Sequence, residues 1–141
     1  MRTVTDESGT RYLLLKRSGE SSLVRDPDSG EERYLDNGEL SPAEGESVLE
    51  TAAAEVDEPI RRLVSAVHDD RTLGLLLVLE SGGPLSAREL LGIDALCESD
   101  LHGTLAELRA AGLIEERDVG GERGYGTTDL TTEALSSLRG E

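Results

Sequence analysis

The sequence predicts an α+β chain that is mainly α: a small N-terminal antiparallel β-meander followed by helices that frame one β-hairpin. Three observations carry this. Residues 10–35 hold short apolar runs separated by turn residues. Two Ser-x-x-Glu patterns, Ser47 to Glu50 and Ser86 to Glu89, open helical segments. A helical leucine stripe ends at Gly112, and two short strand-like segments follow around Gly120-Gly121.

In chain order, the meander occupies residues 1–35. Arg11-Tyr12-Leu13-Leu14-Leu15-Lys16-Arg17 is a strand bounded by Ser18-Gly19, and a second strand covers residues 21–25. The turn Asp26-Pro27-Asp28-Ser29-Gly30 leads to a third over residues 31–35. Residues 36–56 read as a linker, punctuated by Gly38, Pro42 and Gly45, and a short Ala-rich helix opened by Ser47. Residues 57–141 form the last segment. Its leading helix starts at Pro59 and places Ile60, Leu63, Val64 and Val67 on one face, ending near His68. Residues 71–80 make a helix that is apolar nearly all round, which calls for burial on two sides by the preceding helix or a partner subunit.

Ser86 caps the next helix, which runs to about Asp94, and a turn at Ala95-Leu96-Cys97 leads into a helix from Glu98 to about Ala111. Leu101, Leu105 and Leu108 are its buried stripe, and Gly112 takes the left-handed position beyond its end. Residues 113–117 and 123–128 are the hairpin strands, Gly120-Gly121-Glu122 is the tip, and Thr131 caps a final helix bearing Ala134, Leu135 and Leu138.

Composition narrows the function. The 141 residues suit one ordinary domain or two small ones. There is no Phe or Trp, and three tyrosines leave the core to Leu, Val, Ile and Ala. The net charge is −16, and Lys16 is the only lysine. Such a surface fits a halophilic protein in salt-saturated archaeal cytoplasm, where self-repulsion is screened within about 3 Å at molar salt. It also fits an acidic protein that avoids nucleic acid; lysine depletion favours the first reading. A single Cys97 excludes an internal disulfide and a multi-thiolate metal site. No apolar run reaches the roughly 20 residues of a membrane span, and the first residues lack a signal peptide's apolar stretch. A cytoplasmic chain with no membrane contact is expected.

Helix, short helix, turn, helix, β-hairpin, helix is the order of a winged helix–turn–helix. Leu105-Ala-Glu-Leu-Arg-Ala-Ala-Gly-Leu-Ile114 resembles the recognition-helix end and first wing strand of archaeal and bacterial regulators of the ArsR/MarR-like class. The likeness spans about residues 70–138. The whole chain, opening with Arg-Tyr-Leu-Leu-Leu-Lys-Arg, also resembles an uncharacterised haloarchaeal winged-helix family. The resemblance implies a transcriptional regulator that binds double-stranded DNA as a homodimer. The third helix would enter the major groove and the wing would lie along the backbone. Ser99, Asp100, His102, Gly103, Thr104 and Glu107 would then face outward. Ser99, His102 and Thr104 would bond base edges or phosphates, with Gly103 at the close approach and Arg117 and Arg123 on phosphate. The sequence departs from the class at Gly103 and Ala106, where cations are common, and in acidic Glu98 and Asp100.

Each residue also has a structural reading. Ser99 would be a helix N-cap, His102 a solvated side chain, and Arg117 and Arg123 partners of Glu115, Glu116 or Glu122 across the hairpin. Gly103 in mid-helix costs about 1 kcal/mol against Ala, so it calls for another backbone nearby, DNA or protein. Arg109 would pair with a carboxylate, and Cys97 would be a small buried residue of the turn rather than a redox sensor. His68 beside Asp69 and Asp70 is a poor metal site, since adjacent ligands on one helix end rarely converge. No cofactor is expected. Enzymatic chemistry has no foothold: Gly120-Gly121-Glu122-Arg123-Gly124 sits in a hairpin rather than after a strand as a phosphate loop. The competing class is a protein–protein adaptor on a winged helix that does not bind DNA. The meander would serve as a partner-binding or sensing appendage in either case.

Overall fold

The computed structural model of the protein describes residues 1–45, 47–93 and 97–141. The predicted turn at Ala95-Leu96 and the helix end at Asp94 lie outside the described residues. The chain divides into two compact units, Met1–Glu58 and Pro59–Glu141.

The first unit is built on five antiparallel strands: β1 (Arg2–Thr5), β2 (Arg11–Arg17), β3 (Ser21–Arg25), β4 (Glu32–Asp36) and β5 (Ser41–Pro42), in the order β4-β3-β2-β1-β5. A single 3-10 turn, Asn37–Glu39, links β4 to β5. The turn at Asp26 forms as its residues dictate, with Asp28 N donating to Asp26 Oδ1 at 2.9 Å and Gly30 N to Asp26 O at 2.8 Å. Val4, Tyr12 and Val24 make the small core on one sheet face, with Leu14, Leu35 and Leu40 packed around them. On the other face lies α1 (Val48–Ala53), where Thr3 donates to Thr51 at 3.0 Å between two buried hydroxyls. Ser47 caps α1, accepting from Glu50 N at 3.2 Å.

The three-stranded meander is thus the β2-β3-β4 part of a larger sheet. Neither added strand had a pattern of its own to read. β1 has four residues, half of them threonine, and β5 has two, one a proline confined to a sheet edge. Pairing with β2 recruits β1 (Val4 opposite Tyr12), and β1 in turn recruits β5 (Val4 opposite Pro42).

The second unit begins at the second residue of α2 (Glu58–Ala66) and continues with α3 (Asp70–Gly82), β6 (Leu85–Ser86), α4 (Ala87–Ile93), α5 (Glu98–Ala110), β7 (Ile114–Val119), β8 (Glu122–Thr127) and α6 (Asp129–Arg139). From α3 through β8 this is a winged helix. Its core joins Leu63, Leu76, Leu79, Leu90, Leu101, Leu105, Leu108, Leu113, Ile114, Tyr125, Ala134 and Leu135. β6 is a strand the sequence reading lacks; it pairs with β8 (Leu85 opposite Tyr125, Ser86 opposite Gly124) and makes the wing a three-stranded sheet, β6-β8-β7. Ser86 ends that strand and caps α4 at once. Its Oγ accepts from Glu89 N at 3.1 Å and donates to Glu89 Oε1 at 3.2 Å.

Four expectations are corrected. α2 stops at Ala66, and its buried residues are Leu63 and Ala66, whereas Val64 is 67% exposed. Asp69, released from α2, caps α3 by accepting from Thr72 N at 2.8 Å. Thr128, not Thr131, is the N-cap position of α6. Thr131 is fully buried and donates to the Leu113 carbonyl, because a hydroxyl on the inner face of a helix needs a partner. Cys97 is exposed rather than buried; it stands at the N-cap of α5 with Sγ 3.3 Å from Ser99 Oγ. Among the described residues no helix is long and apolar enough to cross a membrane.

Candidate nucleic-acid interface

Leu101, Leu105 and Leu108 are buried and fix the orientation of α5. At about 100° per residue, the line opposite this stripe is Ser99, Gly103, Ala106 and Ala110, a ridge of small residues. His102 lies on one flank, with Nε2 3.5 Å from Glu98 Oε1. Asp100, Thr104 and Glu107 lie on the other. Ser99 is the second residue of α5 and no cap, since Cys97 holds that position. A methyl group built at Gly103 would meet nothing within 4 Å, so no backbone among the described residues explains that glycine.

The structure therefore splits the predicted recognition residues. Ser99, Gly103 and Thr104 share a groove with Asp69, Arg71, Thr72 and Leu75 from the start of α3, where Asp69, Asp100 and Glu107 outnumber the single cation Arg71. His102 stays on the opposite flank. His68 reaches toward the groove, with Nε2 3.9 Å from Glu107 Oε2. The Asp69 carboxyl is held below the usual carboxylate range by the Thr72 amide and hydroxyl, so this rim remains negative.

The chain leaves α5 through a tight reversal that aims the wing. Gly112 has φ +76°, and Leu113 N donates to Leu108 O at 2.9 Å, a closure open chiefly to glycine. β7 and β8 pair from Ile114–Thr127 to Val119–Glu122. Their two-residue tip, Gly120-Gly121, has φ of +61° and +85°, the backbone of a type I′ turn. Gly124 and Gly126 lie inside β8. A methyl at Gly124 would lie 2.5 Å from both Leu85 O and Val119 Cγ2, so β6 can approach β8 only because that residue is glycine. A glycine inside a strand pattern is itself the signal of such an approach.

The predicted phosphate ligands are engaged within the hairpin. Arg117 donates to Glu115 Oε1 at 2.6 and 3.0 Å and to Thr127 O at 3.3 Å. Arg123 Nε lies 3.8 Å from Glu116 Oε1, which Arg109 Nη1 also approaches at 3.1 Å. Arg88 meets Glu122 at 2.9 Å. Glu116 is thus a shared acceptor beneath the wing. Such pairs between exposed side chains are weak and exchange readily for another anion. Arg123, with a 70% exposed side chain, is held least.

The family described as "Family of unknown function (DUF7346)" matches residues 1–139. No curated protein matches the chain. Solved structures that resemble part of it include two HlyU regulators. The transcriptional regulator HlyU from Vibrio vulnificus is 29% identical, with a TM-score of 0.45, over 55% of this chain and 84% of that one. HlyU from Vibrio cholerae is 29% identical, with a TM-score of 0.47, over 59% and 94%.

Proposed function

For this chain, which belongs to the family of unknown function DUF7346, we propose a DNA-binding transcriptional regulator that acts through its winged helix. One observation carries the reading. α5 turns a ridge of small residues to solvent beside a glycine-tipped wing braced by a third strand. A helix without bulky outward side chains can sit deep in a major groove, with Ser99, His102 and Thr104 at its edges as hydrogen-bonding groups. Gly103 then needs no further partner than the duplex. Arg117 and Arg123 would exchange their carboxylates for phosphate. The regulator would act as a homodimer, with α2 and α3 supplying the shared surface. Val64 and Val78, 67% and 40% exposed, are apolar groups there that a second copy would cover.

A second reading has its own support. Each arginine of residues 59–141 engages another residue, and α5 opens with Glu98 and Asp100. A winged helix whose cations are already occupied suits a protein–protein adaptor. Retention of duplexes from a random pool, followed by titration of the enriched sequence at several salt concentrations, separates the two. An enriched sequence bound far more tightly than the pool supports the regulator. No enrichment with no retention overturns it and leaves the adaptor.

A further inference from the structure

Two surface concavities among the described residues differ in charge. The groove beside α5 is bordered by three carboxylates, Asp69, Asp100 and Glu107, against one cation, Arg71. The other lies in the first unit, where Arg2 and Arg17 stand with Leu14, Ser22, Asn37 and Ser41, and no carboxylate lines it. In a chain with 30 acidic residues against 14 basic ones, that exclusion requires a cause.

The backbone supplies the cause. Arg2 lies opposite Leu14, so both side chains share one sheet face. Simple alternation along β2 would put residue 17 on the opposite face from Leu14. A β-bulge intervenes: Leu14 pairs with Val24 and Lys16 with Leu23, leaving one extra residue between them. The bulge carries Arg17 across to pair with Ser22 on the Leu14 face, beside Arg2, and leaves Lys16 on the other face. Among the described residues, neither Arg2 nor Arg17 has a carboxylate within ion-pair distance, unlike Arg88, Arg109, Arg117, Arg123 and Arg139. The floor is polar and hydrogen-bonded. Ser22, which is buried, bonds Asn37 Oδ1, and Asn37 Nδ2 donates to Ser18 O at 2.9 Å and Gly19 O at 3.0 Å. The space, about 60 Å³, admits one small group rather than a base or a large side chain.

We propose that Arg2 and Arg17 form a phosphate-binding subsite, and that in this protein it takes a phosphodiester of the DNA backbone. Two guanidinium forks free of carboxylates suit the non-bridging oxygens of a phosphate. The N-terminal sheet would then supply the cations that the wing has committed to Glu115 and Glu116. The DNA arm rests on the regulator reading above; the phosphate subsite does not.

The test titrates a labelled duplex with the full chain across a salt series, for the wild type, R2Q/R17Q and K16Q, with inorganic phosphate titrated separately by NMR. Two lost phosphate contacts lower the slope of log affinity against log salt by about 1.8 and weaken binding roughly tenfold. That result in R2Q/R17Q with K16Q unchanged supports the proposal. A slope in R2Q/R17Q equal to the wild type, or an equal fall in K16Q from general loss of charge, overturns it. Should the wild type hold no duplex, the regulator reading fails, and inorganic phosphate decides the subsite. Phosphate shifts of the Arg2 and Arg17 Nε–H signals, absent with chloride, then support a site for free phosphate, and no shift overturns it. The single variant R17Q, which leaves β1 intact, replaces the double one if the latter unfolds.

Discussion

Arg139 in α6 holds Glu80 in α3 by both prongs of its guanidinium, Nη1 on Oε2 and Nη2 on Oε1, each at 3.0 Å. The partners are 59 residues apart, and only 16% of the Glu80 side chain is exposed. The pair fastens the last helix of the second unit to the long apolar one. It also holds the Glu80 carboxyl below its ordinary value of 4.5, chiefly through the Arg139 hydrogen bonds. A carboxyl with a lowered folded pKa stabilises the protein above its unfolded pKa, and that contribution fades as pH falls through the folded value. Glu80→Gln should therefore lower the urea midpoint at pH 7 and narrow its gap from the wild type below about pH 4. Parallel curves for the two proteins down to acid would show that the pair contributes nothing to stability.

Two glycines should respond oppositely to the same methyl group. Gly124→Ala puts a Cβ 2.5 Å from Leu85 O, a backbone atom that cannot rotate away, and should cost about 1–3 kcal/mol by displacing β6. Gly103→Ala fills open space on a helix and should stabilise the free protein by about 1 kcal/mol. Denaturant unfolding of both variants gives the comparison directly. If α5 enters a major groove as proposed, the added methyl of Gly103→Ala would face the bases, so tighter folding with weaker binding is the expected signature.

Glu116 holds both Arg109 and Arg123. Glu116→Gln removes one negative charge and releases two guanidinium groups, so duplex affinity should rise at low salt and the salt slope should steepen. Arg123→Ala should weaken all duplexes alike and lower the slope by about 0.9, the share of one phosphate. His102→Ala should change which sequence is preferred. Binding curves unchanged in all three would exclude both wing and α5 from the interface.

Cys97 is exposed at the head of α5. It should be alkylated in the native protein at a rate close to that in denaturant, and a bulky adduct there should impede any ligand that docks along α5. Protection of Cys97 on adding duplex, followed by mass spectrometry, maps the start of the helix against DNA.

The winged helix was largely legible because each of its parts has a local cause. The Ser86 cap, the Leu101-Leu105-Leu108 stripe, Gly112 and the Gly120-Gly121 tip each act within a few residues of themselves. β6 was not legible, because a two-residue strand has no period; it exists only where Gly124 lets Leu85 approach. Val64 misled for a related reason: the i, i+3, i+4, i+7 pattern marks a face, but packing chose the edge of it that buries Leu63 and Ala66. Of the candidate site residues, positions along α5 could be read from spacing alone, whereas their neighbours could not. The i, i+4 spacing of Glu98 and His102 is local, but nothing near in sequence says that Ser99 and Thr104 meet the start of α3, or that Arg109 and Arg123 converge on one carboxylate.

By itself, then, the sequence determined what short-range chemistry can determine: where helices are capped, where the backbone must turn left-handed, and which stripe of α5 is buried. Tertiary structure alone decided which strands joined the N-terminal sheet, which arginines were neutralised, and that a bulge would bring Arg17 beside Arg2. The division has a physical reason. Capping and turn geometry are paid for within one or two turns of chain, while sheet register and ion pairing depend on segments tens of residues away.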